Sequence, residues 1–230
     1  MELPKQLNHF VKTDNPTAKT SESSLTYERS LLIAFLGVFV PLCVFGWLAS
    51  AVSNQRSLGW EAAFLRCLPA STTPGLDRMI GEVAESGGIN VVVVLAVLGV
   101  LALKRVARLR EALFVTLALV GVVILNLLVR CAVQRSHLAW AGSATASFDF
   151  GFPSTQAADT FAVALAGVIV CWGTRWRWLA VGLGILYVLA VGLSRAYLGL
   201  HYPSDILAGW ALSLAWVIAA SLVRRLHIEA

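Results

Sequence analysis

Residues 112–129 read Ala-Leu-Phe-Val-Thr-Leu-Ala-Leu-Val-Gly-Val-Val-Ile-Leu-Asn-Leu-Leu-Val, a run without one charged side chain. An uncharged apolar run close to the roughly 20 residues that a bilayer core requires is the signal of a transmembrane helix. Five more apolar runs surround it: Leu31 to Val52, Ile89 to Leu103, Ala157 to Trp172 with Asp159 as its single charge, Leu179 to Leu193 and Ile206 to Val223. Backbone N–H and C=O groups find no water inside lipid, so each run must satisfy them internally as a helix; the period-two alternation of a membrane β-barrel is absent. The expected fold is all-α, an integral membrane six-helix bundle. Composition agrees, since 58% of the 230 residues are hydrophobic and only 13% are charged, with a mean hydropathy of +0.75. So few charges cannot cover a water-facing globule, which argues against a soluble enzyme, a disordered chain and a disulfide scaffold.

The polar segments set the orientation. Residues 1–30 carry both signs of charge and lack the charged start, apolar stretch and small-residue cleavage site of a removable signal peptide; they read as a polar cytosolic tail, with 31–230 forming one six-helix membrane domain. The net charge of +5 comes from basic residues spread between apolar runs rather than gathered in a patch, so no nucleic-acid partner is expected. Twelve of them fall on one side, in the tail, between Lys104 and Arg110, at Arg175 and Arg177, and at Arg224 and Arg225. Six fall on the other, at Arg56, Arg66, Arg78, Arg130, Arg135 and Arg195. The excess predicts both termini in the cytoplasm and the segments 53–88, 130–156 and 194–205 outside. Trp172, Trp176 and Trp178 suit an inner interfacial belt, and Leu58 to Ala84 read as one or two short interfacial helices between the first two spans. Cys43 and Cys171 lie in apolar runs and read as small buried hydrophobes. Cys67 and Cys131 share the outer side, where the sequence leaves a disulfide open. No His/Cys cluster has metal-ligand spacing, and neither a metal nor a cofactor is expected.

The outer segments concentrate what the rest of the chain avoids: Arg130, Arg135, His137, Asp149, Ser154, Gln156, Arg195, His201 and Asp205. One ionisable group at a membrane helix end is commonly an anchor; a set converging on one side points to a site. The sharpest stretch is Ser194-Arg195-Ala196-Tyr197-Leu198-Gly199-Leu200-His201-Tyr202-Pro203-Ser204-Asp205. A carboxylate four residues after an imidazole can hold the ring in one tautomer and make it a nucleophile, and a guanidinium offers phosphate a planar fork. Spacing alone leaves two readings open, a catalytic set and a structural Arg–Asp pair at a helix end.

With Ser194, Arg195, His201 and Asp205 at its fixed positions, this stretch resembles the third signature of the type 2 phosphatidic acid phosphatases, membrane lipid phosphatases related to vanadium haloperoxidases. Phe152-Pro153-Ser154-Thr155-Gln156 resembles their second signature, Pro-Ser-Gly-His, with Thr155 for the Gly and Gln156 for the His. Arg130, Arg135, His137 and Leu138 stand where the first signature has Lys, Arg, Arg and Pro. The resemblance implies that His201, Asp205 and Arg195 are catalytic, that Arg130, Arg135, Ser154, Gln156 and His137 bind phosphate, and that a phosphohistidine forms on His201. It also implies the function: a membrane lipid phosphatase or diphosphatase acting on a lipid phosphate or polyprenyl diphosphate at the outer face of the cell membrane. The same residues would serve a lipid phosphotransferase, or a catalytically silent relative that binds a lipid phosphate. Gln156 carries the sharpest consequence, because an amide cannot hand over a proton in the physiological range, and general acid catalysis is worth about 10² to 10⁴ in rate. Either the leaving group is already good, which favours a diphosphate, or His137 or Asp159 acts as a substitute acid. For Asp159 the favoured reading is a capped or helix–helix polar contact in the first turn.

Overall fold

The computed structural model describes residues 28, 31–54, 58–68, 73–135 and 150–229. Every regular element among them is a helix: α1 (Leu31–Ser53), α2 (Gly59–Cys67), α3 (Pro74–Ser86), α4 (Ile89–Arg105), α5 (Leu109–Val133), α6 (Thr155–Cys171), α7 (Arg177–Tyr197) and α8 (Pro203–Glu229). Within α1 a π-helical segment, Phe35–Phe39, ends two residues before Pro41, whose missing N–H and bulky ring disturb the regular ladder one turn earlier.

Each of the six apolar runs is helical. Helices α1, α5 and α7 and the stretch Pro203–Arg224 of α8 are individually long and apolar enough to cross a membrane. Helix α4 is joined to α3 through Gly87 and Gly88 at a bend of 49°, and the pair together passes the same test. Part of the segment expected to be interfacial is thus continuous, through a break, with the second run. Helix α6, at 17 residues, is shorter than a full crossing.

Helix α6 is central, packed on α4, α5, α7 and α8. Its residues Ala158, Ala162 and Ala166 recur every fourth position and are buried against Ala118 and Val122 of α5 and Val217 of α8. Lipid tails are as apolar as leucine, so helices gain little by hiding leucine; small residues let backbones approach, and close packing supplies the attraction. Backbone approaches backbone most closely at Gly209, where an added Cβ would lie 2.7 Å from the Ser154 carbonyl oxygen and 3.1 Å from the Ala158 nitrogen. The larger apolar side chains, Leu113, Leu117, Val120, Ile124 and Leu127 of α5 among them, face outward. Cys43 is exposed in the same way and Cys171 only half-buried, correcting the expectation that both lie in a core; apolarity of a run does not imply burial in a chain whose solvent is lipid. Cys67 and Cys131 are free thiols, so the disulfide left open by the sequence does not form. This is a membrane protein.

The bundle has two unlike ends. At one, Arg108 donates to Glu111 at 2.9 Å and to the Val170 carbonyl at 3.0 Å, and Arg175 and Arg177 lie over the rings of Trp176 and Trp178. At the other, three separate segments meet through Arg135, Glu61 and Asp205. Since backbone atoms surround position 209, Gly209→Ala should cost about 1 to 3 kcal/mol of stability, read as a lowered melting temperature of the detergent-solubilised protein. Gly167→Ala, where an added Cβ meets nothing within 4 Å, should leave it unchanged or raise it slightly.

Candidate active site

The end of α7 determines where His201 lies. Gly199 adopts the left-handed conformation, φ 65°, which costs glycine little. Its N–H bonds the Ala196 carbonyl at 3.0 Å and the Leu200 N–H bonds the Arg195 carbonyl at 3.0 Å. These are the two bonds of a Schellman terminator. The chain reverses over Arg195, and His201 follows at once, 2% exposed.

Helix α8 then starts on a proline, Pro203, which has no N–H to leave unpaired in a first turn. Asp205, two residues on, turns its carboxylate back so that Oδ2 accepts the Tyr202 N–H at 2.8 Å, the acidic half of a capping box. Its other oxygen, Oδ1, accepts from Arg135 Nη1 at 2.5 Å. With both oxygens so engaged, Asp205 Oδ2 stays 3.8 Å from His201 Nδ1, beyond hydrogen-bond range. The direct partner of Nδ1 is the Gly151 carbonyl at 3.0 Å. A carbonyl only accepts, so Nδ1 carries the proton and the lone pair of the neutral ring belongs to Nε2. The tautomer that the His–Asp spacing suggested is present, but a backbone carbonyl holds it and Asp205 contributes charge nearby.

Gly151 belongs to the approach to α6. Its N–H bonds the Arg135 carbonyl at 2.7 Å, and the Ser154 N–H bonds the Asp205 carbonyl at 3.0 Å. Phe152 between them is buried against Leu48, Val52 and Ala208. Helices α5, α6 and α8 are therefore tied together by backbone contacts around the imidazole. Ser154 precedes the first turn of α6 yet makes no side-chain cap; its hydroxyl is buried without a hydrogen-bond partner among the described residues. Such a hydroxyl, beside the unpaired amides of a helix start, is suited to an anion.

The basic residues differ in their engagements. Arg130, in the last turn of α5, donates to the Thr155 hydroxyl and to the Phe150 carbonyl at 2.5 Å, so it spans the entry to α6. Arg135 follows Gln134, a left-handed helix terminator with φ 50°. Its guanidinium meets Asp205, the Ser204 hydroxyl at 2.9 Å, Glu61 at 3.7 Å and the face of Tyr202 at 4.0 Å. Arg195 is buried in the last turn of α7, with Nη1 4.0 Å from the largely exposed Glu85. Gln156 lies in the first turn of α6 where Gly87 approaches; a Cβ on that glycine would come within 3.3 Å of the Gln156 Cβ. Both Asp159 oxygens are buried without a hydrogen-bond partner among the described residues. His137 and Asp149 lie outside the described residues, and among those described no three His, Cys, Asp or Glu side chains are placed to hold a metal ion.

Sequence reasoning missed Glu61. It is 5% exposed and reaches Ser204, from 143 residues away, through both the backbone N–H at 3.3 Å and the hydroxyl. A lone glutamate gave no motif; the one available signal was a carboxylate in the otherwise apolar stretch Gly-Trp-Glu-Ala-Ala-Phe-Leu of α2.

Residues 112–228 match the PAP2 superfamily. Over 85 residues the chain is 39% identical to the lipid A 4′-phosphatase of Bacteroides thetaiotaomicron, covering 35% of this chain and 36% of that one. Over 71 residues it is 37% identical to the undecaprenyl-diphosphatase of Sulfolobus acidocaldarius, covering 30% and 31%. The matched stretch spans about a third of the length of either relative. The crystal structure of a transmembrane PAP2 type phosphatidylglycerolphosphate phosphatase from Bacillus subtilis superposes with a TM-score of 0.68 at 17% identity, over 79% of this chain and 94% of that one, so the two share a fold. Half of the chain, running from the start of α5 through the His201 turn and α8, carries the family match: the chain belongs to the PAP2 superfamily.

Proposed function

We propose that the protein is a membrane lipid phosphatase or diphosphatase that works through a phosphohistidine on His201. The observation that carries this reading is the imidazole with its Nδ1 donating to the Gly151 carbonyl, which leaves the Nε2 lone pair as the nucleophile. Nε2 bonds to phosphorus in line as the opposite P–O bond breaks, and the leaving oxygen departs with the electron pair. The ring then carries positive charge, which the Asp205 carboxylate at 3.8 Å and the Gly151 carbonyl stabilise. Water attacks in a second step, an oxygen–phosphorus bond replaces the nitrogen–phosphorus bond, and inorganic phosphate leaves with the neutral imidazole restored. Arg195, Arg130, Gln156, the Ser154 hydroxyl and the amides at the start of α6 hold the phosphoryl oxygens. Arg135 acts against Asp205, and His137, on the segment between α5 and α6, completes the phosphate-binding set.

Gln156 supports a diphosphate substrate. With no proton to give, it disfavours release of a basic alkoxide far more than release of a phosphate. The relatives named for a lipid A phosphate and for undecaprenyl diphosphate both act on phosphate groups carried by a lipid, which supports a lipid substrate for this chain. The excess of basic residues at the end opposite the site supports a multi-pass chain with cytoplasmic termini and the site on the extracytoplasmic side.

Three outcomes test this reading. His201→Ala should abolish phosphate release from a polyprenyl diphosphate by the purified protein in detergent, and with it any acid-labile phosphoryl adduct; undiminished release would overturn the nucleophile. Gln156→His should raise hydrolysis of a lipid monophosphate by about 10²-fold or more while changing diphosphate hydrolysis by less than about tenfold; no gain on the monophosphate would remove the missing-acid argument. In single-cysteine variants on intact cells, a membrane-impermeant maleimide should label Cys67 and reach Cys171 only after permeabilisation; the reverse pattern would invert the orientation.

A further inference from the structure

Helix α8 begins at Tyr202 and Pro203, and Tyr202 has no short side-chain oxygen to accept the first amides of the helix. Asp205 turns back to the Tyr202 N–H, which leaves the Ser204 amide to be satisfied from elsewhere. Glu61 of α2 satisfies it: one oxygen, Oε1, accepts both the Ser204 N–H at 3.3 Å and the Ser204 hydroxyl. The other, Oε2, lies 3.7 Å from Arg135, whose Nη1 also donates to the Ser204 oxygen at 2.9 Å. The carboxylate is 5% exposed. Burying it is favourable only where donors and a cation receive it, and a negative charge at a helix start is favoured by the helix dipole.

We propose that Glu61 is a positioning residue for the reaction: by capping α8 from outside the helix and bracing Arg135, it fixes the turn that presents His201 and Asp205. This rests on the hydrolase reading given above. Glu61 acts through Ser204 and Arg135. The segment between α1 and α4 therefore does more than connect two membrane helices, because one of its side chains completes the hydrogen bonding of the site's own helix. A loosened first turn would let Asp205 and the ring drift from in-line geometry without removing a phosphate ligand, so the loss should appear in turnover rather than substrate affinity.

The test uses the full chain in detergent with a polyprenyl diphosphate as substrate. Glu61→Ala should lower kcat between about tenfold and a hundredfold with KM within about threefold, and Glu61→Gln, which keeps the Oε1 acceptor, should restore kcat to within about threefold of the parent. Ser204→Ala should lower kcat in the same way, and the double variant with Glu61→Ala should fall no further than the worse single change, as coupled partners do. Equal losses in Glu61→Gln and Glu61→Ala, parental kcat in Glu61→Ala, or additive losses in the double variant would each overturn the proposal. If Glu61→Ala does not fold, Ser204→Ala and Glu61→Gln decide: parental kcat in Ser204→Ala or a loss of tenfold or more in Glu61→Gln overturns it. Hydrogen exchange over residues 200–208 separates the two ways of failing. A parent chain that releases no phosphate overturns the hydrolase reading, whereas unchanged exchange there in Glu61→Ala overturns the positioning role.

Discussion

One guanidinium joins three stretches of chain that the helices alone would leave apart. Arg135, just beyond the end of α5, meets Asp205 and Ser204 at the start of α8 and Glu61 in α2, with the ring of Tyr202 beneath it. A planar group with five N–H donors can serve all of these at once, where a lysine ammonium would meet them as a single point of charge. The carboxylates are buried and the arginine largely so, so removal of one member would leave uncompensated charge, at a typical cost of about 3 to 5 kcal/mol. The approach to α6 is fastened to the same cluster by two backbone bonds, one to Arg135 and one to Asp205. Through these bonds Arg135 fastens the approach to α6 and the start of α8 beside His201.

That arrangement changes what the basic residues are for. Counting charges gives three arginines available to a phosphate, but Arg135 already faces two carboxylates. Its positive charge is offset locally, and its donors are directed into the protein. Arg130 spans the α6 entry, and Arg195 is carried by α7 above the terminator. In the hydrolase reading, Arg130 and Arg195 are the cations that answer the substrate's charge, and Arg135 supports the groups that orient the nucleophile.

Much of the helical fold was legible because lipid imposes a simple rule: an apolar run without charges becomes a helix wherever it occurs. The runs at 31–52, 112–129, 179–193 and 206–223 needed nothing more. Burial was not legible, since leucine and cysteine face lipid as readily as protein, and the seam at Ala158, Ala162 and Ala166 depends on small size that hydropathy does not register. The break at Gly87 and Gly88 between α3 and α4 was hidden because Pro74–Ser86 is amphipathic in composition and reads as a surface helix. In the site, the Ser194–Asp205 stretch could be read because its partners are close in sequence and held by local turns. Glu61 could not, because its bond to Ser204 closes a loop of 143 residues. The Gly151 carbonyl could not either, because every residue has one, and only the folded chain decides which lies beside a histidine.

The terminator at Gly199 bears on how much the chain between Arg195 and His201 can vary. The bond from Leu200 back to Arg195 closes a ring of set size, and the left-handed residue inside it reverses the chain in a single step. Such a device acts as a ruler. The spacing holds so long as glycine keeps its place, whereas one residue added or removed would move the imidazole to another side of the turn. The interval of five residues between arginine and histidine is thus a length measured by helix geometry, and chemistry at either end inherits it.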